Sequence, residues 1–279
     1  MKNLTFIILA ALSIVSFKMA AVTGYPFTVN TKGDGSQAIL FIPGFASSGN
    51  VWEATINALP SNYKSYSFTM AGFAGVPAQA NSSVKYWEAQ IVQYIHDLNI
   101  EKPIIIGHSM GGAMAMAIAS DYPDLVKKII VVDALPCLPV MMNPNFRSVE
   151  NINCDEMVKN MMSMPNKEFL DQQKNSVARL VADTSRYSTI TNWGVNSDRE
   201  TFAKIYCEIS NIDLRSDINK IKCPSLVLLE SYFKLMKPNI EEQYKNLKNV
   251  NLQYADKGLH FIMYDDQEWY LRQVLNFLQ

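Results

Sequence analysis

The stretch Ile104-Ile105-Ile106-Gly107-His108-Ser109-Met110-Gly111-Gly112, running on into the small-residue segment 113–120, decides the fold of this 279-residue chain. Its apolar start reads as a strand covered on both faces, and the segment after it as a helix. A chain that turns from strand into helix around one residue holds that residue in a strained conformation. The positions two before and two after it must be small so that strand and helix can pass, and Gly107 and Gly111 meet that need. Such a turn lifts the Ser109 hydroxyl above the sheet and aims the first helical N–H groups at whatever it attacks. It is not a phosphate loop, because Ala113 stands where that loop needs Lys.

Strands and helices alternate outward from this turn. Residues 25–30 alternate as a half-buried strand, with a turn at 32–35. Runs at 38–42, 66–70, 129–132 and 226–229 read as further strands, and 250–254 alternates. Ser82 or Ser83 caps a helix whose apolar stripe is Trp87, Ile91, Tyr94, Ile95 and Leu98, and residues 265–278 form a closing amphipathic helix. The pattern predicts an α/β fold with a mostly parallel sheet and helices on both faces. Residues 135–218 break the rhythm with helical sequence and no buried strand, so they read as an insertion between two sheet strands. The core is then 22–134 with 219–279.

A second motif, Phe41-Ile42-Pro43-Gly44-Phe45, is a strand running into a glycine turn. With the Ser109 turn it makes the chain resemble the α/β-hydrolase family, in particular the serine-nucleophile members with a helical cap, from about residue 27 to the end. The resemblance implies Ser109 as nucleophile and the N–H groups of Phe45 and Met110 as an oxyanion hole. Many members carry His where Pro43 stands, a change that leaves main-chain donors intact. It also implies that the insertion 135–218 is the cap.

A serine near neutral pH needs a base. Of three histidines, His108 lies inside the turn and His96 in the helix after Ser83. His260, in a Gly-x-His-Phe run before the last helix, sits where the family keeps its base. The acid that orients it has several candidates. Family members usually place an Asp a few residues past the strand at 226–229, but that stretch, 230–236, offers only Glu230. Asp133, 24 residues beyond Ser109 and ending the strand at 129–132, matches a minority placement and is the first choice. Glu230, Asp256 and Asp265 are the alternatives. The Asp213-Leu214-Arg215 stretch resembles a structural feature of the family.

The implied activity is hydrolysis of a small to medium, largely apolar ester, thioester or lactone through an acyl-enzyme, with no metal or organic cofactor. C–C bond or peptide-type hydrolysis on the same machinery, or a ligand-binding relative with weak catalysis, are the competing readings. Six methionines between 141 and 164 supply either an adaptable apolar wall for the site or packing within the insertion, and Trp193 and Tyr187 are open in the same way.

Composition agrees with an enzyme of this kind. Hydrophobic residues at 48% and charged residues at 18% allow a sizeable core. A net charge of −1 leaves no basic surface for nucleic acid. There is no C-x-x-C pair and there are only three His, which argues against a structural zinc site. At the N-terminus, Lys2 precedes an apolar run over 4–17 that suits a signal peptide and falls short of the ~20 residues needed to span a bilayer. Export, to the periplasm or the medium, with residues 1–21 removed is the expectation, and retention of the segment as an anchor the alternative. Removal takes Lys2 and Lys18 and brings the net charge to −3. In an oxidising compartment Cys137, Cys154, Cys207 and Cys223 could form up to two bridges, or serve as small buried hydrophobes.

Overall fold

The computed structural model describes residues 24–279, and the expected export segment 1–21 lies outside them. Seven strands form one sheet: β1 (Phe27–Lys32), β2 (Gln37–Ile42), β3 (Tyr63–Met70), β4 (Ile104–His108), β5 (Lys128–Val132), β6 (Ser225–Leu229) and β7 (Val250–Tyr254). Their order is β1-β3-β2-β4-β5-β6-β7, with β1 antiparallel to β3 and the other pairs parallel. Helix α1 (Glu53–Ala58) follows β2, α2 (Val84–Asp97) follows β3 and α3 (Met110–Asp121) follows β4. Helices α4 (Asp155–Ser163), α5 (Asn166–Leu180), α6 (Tyr187–Val195) and α7 (Arg199–Ile209) lie between β5 and β6. The chain closes with α8 (Lys237–Tyr244), α9 (Ile262–Asp265) and α10 (Gln267–Leu278).

Strand side chains point alternately to opposite faces, so a continuous apolar strand feeds two cores at once. Leu40, Ile42, Ile105, Ile129, Val131 and Val227 pack on one face, against Met114 and Ile118 of α3 and Trp87 and Ile91 of α2. Ile39, Phe41, Ile104, Ile106, Ile130 and Val132 pack on the other, against Trp52, Tyr270 and Val274. Ser83 caps α2 by accepting the Tyr86 N–H, whereas Leu98, grouped by spacing with the buried stripe, ends the helix and is exposed.

Several boundaries differ from the sequence reading, β3 for instance starting at Tyr63, and two of them have a clear cause. β1 extends to Lys32, because Lys32 pairs with Ser65 in the antiparallel ladder and the turn shrinks accordingly. The final helix is broken at Asp266, whose backbone (φ −135°, ψ 53°) is not helical, leaving the short α9 before α10.

Within the insertion, Cys154 at the start of α4 is disulfide-bonded to Cys207 of α7, while Cys137 and Cys223 are buried thiols. No residue of α4 is fully buried; the helix packs along α7, and the bridge fixes its first turn to that neighbour. The parallel register sets Ile42 beside Gly107, His108 beside Val132, and Val132 beside Leu228. The carboxyl ends of β2, β4, β5 and β6 therefore share one edge, the place where a parallel sheet presents its loops to ligands.

Candidate active site

Ser109 joins β4 to α3 with φ 53° and ψ −119°, a conformation that costs a non-glycine residue about 1–3 kcal/mol. Its surroundings enforce that shape. The Ser109 N–H donates to the Val132 carbonyl at 2.9 Å, and its own carbonyl accepts from the Gly112 and Ala113 N–H groups at 2.9 and 3.0 Å. A Cβ on Gly107 would lie 2.0 Å from the Gly111 carbonyl oxygen, and one on Gly111 would lie 2.2 Å from that of Ile42. Both positions are thus closed to any side chain. The loop after β2 sits equally close: a Cβ on Gly44 would fall 2.8 Å from His108 Nδ1 and 3.3 Å from Ser109 Cβ. Met110 is the first residue of α3, so its N–H has no partner within the helix. Phe45 follows Gly44, and its ring packs edge-on against Phe73 and Phe202.

At the end of β5 the chain turns at Asp133, whose φ is 48° and whose N–H donates to the Leu228 carbonyl at 2.7 Å. The Asp133 side chain is almost fully buried. One oxygen accepts the Glu230 backbone N–H at 2.7 Å; the other lies 2.6 Å from His260 Nδ1. A buried carboxylate can only accept, so His260 carries its hydrogen on Nδ1 and keeps the Nε2 lone pair free. Burial alone would push the imidazole pKa down. The hydrogen bond and charge of Asp133, helped by the charge of Glu230, outweigh it and hold the pKa above its ordinary value.

The remaining candidates hold other positions, two of them, His108 and Glu230, beside the same cavity as Ser109 and His260. His96 is on the surface. His108 is buried, and its Nε2–H donates to the His260 carbonyl at 2.9 Å; burial, then the neighbouring His260 charge, drive its pKa well down, so it stays neutral. Glu230 lines the cavity described below, and burial followed by the Asp133 charge pushes its carboxyl up to about 7. It touches Asp133 through its backbone. Asp256 is exposed and pairs with Lys234. Asp265 accepts only backbone N–H groups, those of Ala182, Asp183 and Leu259. Asp213 and Arg215 form an ion pair at 2.6 Å, away from this cavity.

Ser109, His260, Asp133, Phe45 and Met110 all border one cavity of about 450 Å³. Its far wall comes from the insertion: Arg179 and Leu180 end α5, Tyr206 and Ile209 lie on α7, and Ile212 follows. None of the six insertion methionines is among the lining residues. Met141, Met161 and Met164 pack against the core, while Met142, Met157 and Met162 are exposed. Trp193 and Tyr187 also pack on the core rather than line the cavity. The wall residues carried no signal in the sequence beyond the 3-residue spacing of Tyr206 and Ile209, which fits any half-buried helix. A larger groove of about 640 Å³, bordered by Arg147, Arg215 and Lys245, includes neither Ser109 nor His260.

Comparison with known proteins agrees with this architecture. A family model described as alpha/beta hydrolase fold matches residues 37–267. The pimeloyl-[acyl-carrier protein] methyl ester esterase of Wigglesworthia glossinidia brevipalpis is 24% identical over 231 residues, covering 81% of this chain and 86% of that protein. Among solved structures, the enol-lactonase from Burkholderia xenovorans LB400 superposes with a TM-score of 0.76 at 16% identity, over 93% of this chain and 99% of that one. An esterase from Exiguobacterium antarcticum gives 0.74 at 18% identity, over 93% and 97%.

Proposed function

Because this chain belongs to the alpha/beta hydrolase fold family, we propose that it is a serine hydrolase of ester bonds in which Ser109, His260 and Asp133 act as a triad. The observation that carries the reading is the 2.6 Å contact between Asp133 and His260 in the same cavity as the strained Ser109. Relatives named as esterases and a lactonase support ester hydrolysis as the general activity.

In this mechanism the Ser109 hydroxyl attacks the ester carbonyl while His260 Nε2 takes its proton. Asp133 holds the imidazole in the tautomer that can accept it and stabilises the imidazolium. The tetrahedral oxyanion is held by the N–H groups of Phe45 and Met110, donors fixed before the reaction begins. Collapse expels the alcohol, which takes the proton from His260. A water then repeats the sequence on the acyl-enzyme and releases the acid. Leu135, Leu180, Ile209, Ile212 and Phe233 on the cavity wall support a small to medium, largely apolar acyl or alkyl substrate, as ester, thioester or lactone.

A fluorophosphonate probe should label wild-type protein on Ser109, and a p-nitrophenyl ester panel of graded chain length should be hydrolysed. The Ser109→Ala variant should lose labelling and at least about 10⁴-fold in kcat while keeping its fold. Full activity in folded Ser109→Ala would refute the assignment.

Export is part of the proposal. The apolar segment 4–17 supports it, as does a disulfide in the insertion, since such bonds persist in oxidising compartments. Intact mass of the protein purified from its host should show the loss of roughly 20–25 residues. A mass retaining Met1 would point to an anchored protein.

A further inference from the structure

We propose that Asp265 is a positioning residue that clasps the loop carrying His260 to the segment joining α5 to α6, so that alignment of the base depends on the insertion. The inference rests on the reading of His260 as the base. Asp265 ends α9, five residues beyond His260. One of its oxygens accepts the Ala182 and Asp183 N–H groups, each at 2.9 Å. The other accepts the Leu259 N–H at 2.8 Å and shares that of Ala182 at 3.0 Å. A single carboxylate therefore joins the residue just before His260 to the insertion.

The residue just after His260 is joined to the insertion too, because the Phe261 N–H donates to the Leu180 carbonyl at 3.1 Å. His260's own carbonyl is held from the sheet side by His108. The peptide groups on either side of the base, 258–259 and 260–261, are thus fixed, both of them to the insertion and the second also from the sheet side. Gly258 makes the close approach feasible: its φ is 101°, and a Cβ there would lie 3.0 Å from Asp265 Cβ. Arg179 and Leu180, at the end of the same helix, line the cavity. One stretch of chain therefore borders the substrate space and holds the base.

The chemistry of the clasp is specific to a carboxylate. It presents acceptor sites on both oxygens, and charge strengthens each bond. Asparagine has one acceptor, and its NH₂ would face an N–H donor, either that of Leu259 or that of Asp183. One side of the clasp must then open. A displacement of about 1 Å in a catalytic group costs on the order of 10²-fold in rate.

Asp265→Asn should lower kcat about 10²-fold on a p-nitrophenyl ester, with KM changed less than about threefold because the cavity wall keeps its side chains. The acid limb of the kcat/KM profile should also move. Asp133, Glu230 and His108 are the titratable groups nearest His260, Arg179, Tyr206 and Tyr232 border the same cavity, and the Asp265 charge acts on Glu230. A base loop that swings away from the two carboxylates loses what raises the imidazole pKa, so the limb shifts to lower pH. A residue that merely stabilised the fold would lower Tm and leave that limb in place.

Native-state hydrogen exchange of the wild type provides a second measurement that needs no variant to fold. The Ala182, Asp183 and Leu259 amides should exchange through one common opening. Exchange of Leu259 independently of the other two would overturn the clasp, as would folded Asp265→Asn with wild-type kcat and an unmoved acid limb. Failure of the functional reading looks different: wild-type protein would neither take the fluorophosphonate on Ser109 nor cleave the esters, and the exchange result alone would then decide whether the clasp exists.

Discussion

Asp133→Asn tests the proposed triad at its most exacting point. The buried carboxylate serves two donors, the Glu230 N–H at 2.7 Å and His260 Nδ1 at 2.6 Å. An asparagine has one oxygen for them. If that oxygen keeps the Glu230 N–H, the amide NH₂ faces His260 Nδ1, which must become an acceptor. The imidazole hydrogen then moves to Nε2, and the base can no longer take a proton from Ser109. The flipped amide keeps the right tautomer but sets NH₂ against the Glu230 N–H, leaving a buried donor unsatisfied at about 1–3 kcal/mol. The first orientation wins, with the unproductive tautomer. The same exchange in serine protease triads lowers kcat about 10⁴-fold, equivalent to about 5.5 kcal/mol of barrier. The assay is steady-state p-nitrophenyl ester hydrolysis, with circular dichroism to show that the variant is folded. Folded Asp133→Asn within about tenfold of wild type would refute the reasoning, since no geometry of a buried amide satisfies both donors.

Three further outcomes follow from neighbouring groups. Glu230 raises the His260 pKa through its charge, so Glu230→Gln should move the acid limb of kcat/KM to lower pH while costing less than about tenfold in kcat; a limb that stays put or moves up would contradict this. Glu88 on α2 is held protonated by burial up to about 7, whereas the unfolded chain ionises it near 4.5. Between those values the folded state binds more protons, so stability falls as pH rises, and Glu88→Gln should gain about 1–3 kcal/mol at pH 8 and almost nothing at pH 4 in urea titrations. Cys154 and Cys207 are separated by 53 residues, and Cys154→Ser with Cys207→Ser, or reduction, should cost up to about 4 kcal/mol of unfolding free energy; an unchanged urea midpoint would mean that α4 is held by other contacts.

How much of this was legible before the structure depends on how local the cause is. The strand interiors were legible, because a strand buried on both faces writes its burial as an unbroken apolar run. The turn at Ser109 was legible because two steric exclusions, at Gly107 and Gly111, act within five residues of chain. The ends of β1 and of the last helix were not, since each is set by a partner distant in sequence or by one backbone angle at Asp266. The cavity wall was not legible either. A helix in a small insertion shows which side is apolar, but not whether that side meets the core or the site, and the methionines that stood out by number lie outside the cavity.

The proposed acid is the instructive case. Asp133 and Glu230 end adjacent parallel strands, and the register that pairs Val132 with Leu228 brings both to the same edge of the sheet. Spacing along the chain treats them as rivals for one imidazole. What separates them is backbone geometry. Asp133 takes a positive φ of 48° while its N–H bonds to β6, and the carboxylate of that turned residue lies against both His260 and the Glu230 N–H. Glu230 meets the acid site through its amide, leaving its own carboxyl at the cavity, where burial and the Asp133 charge push it up to about 7. Asp133 carries a donor on each of its oxygens and so orients the imidazole, while the Glu230 carboxyl, turned to the cavity, acts on His260 through its charge alone.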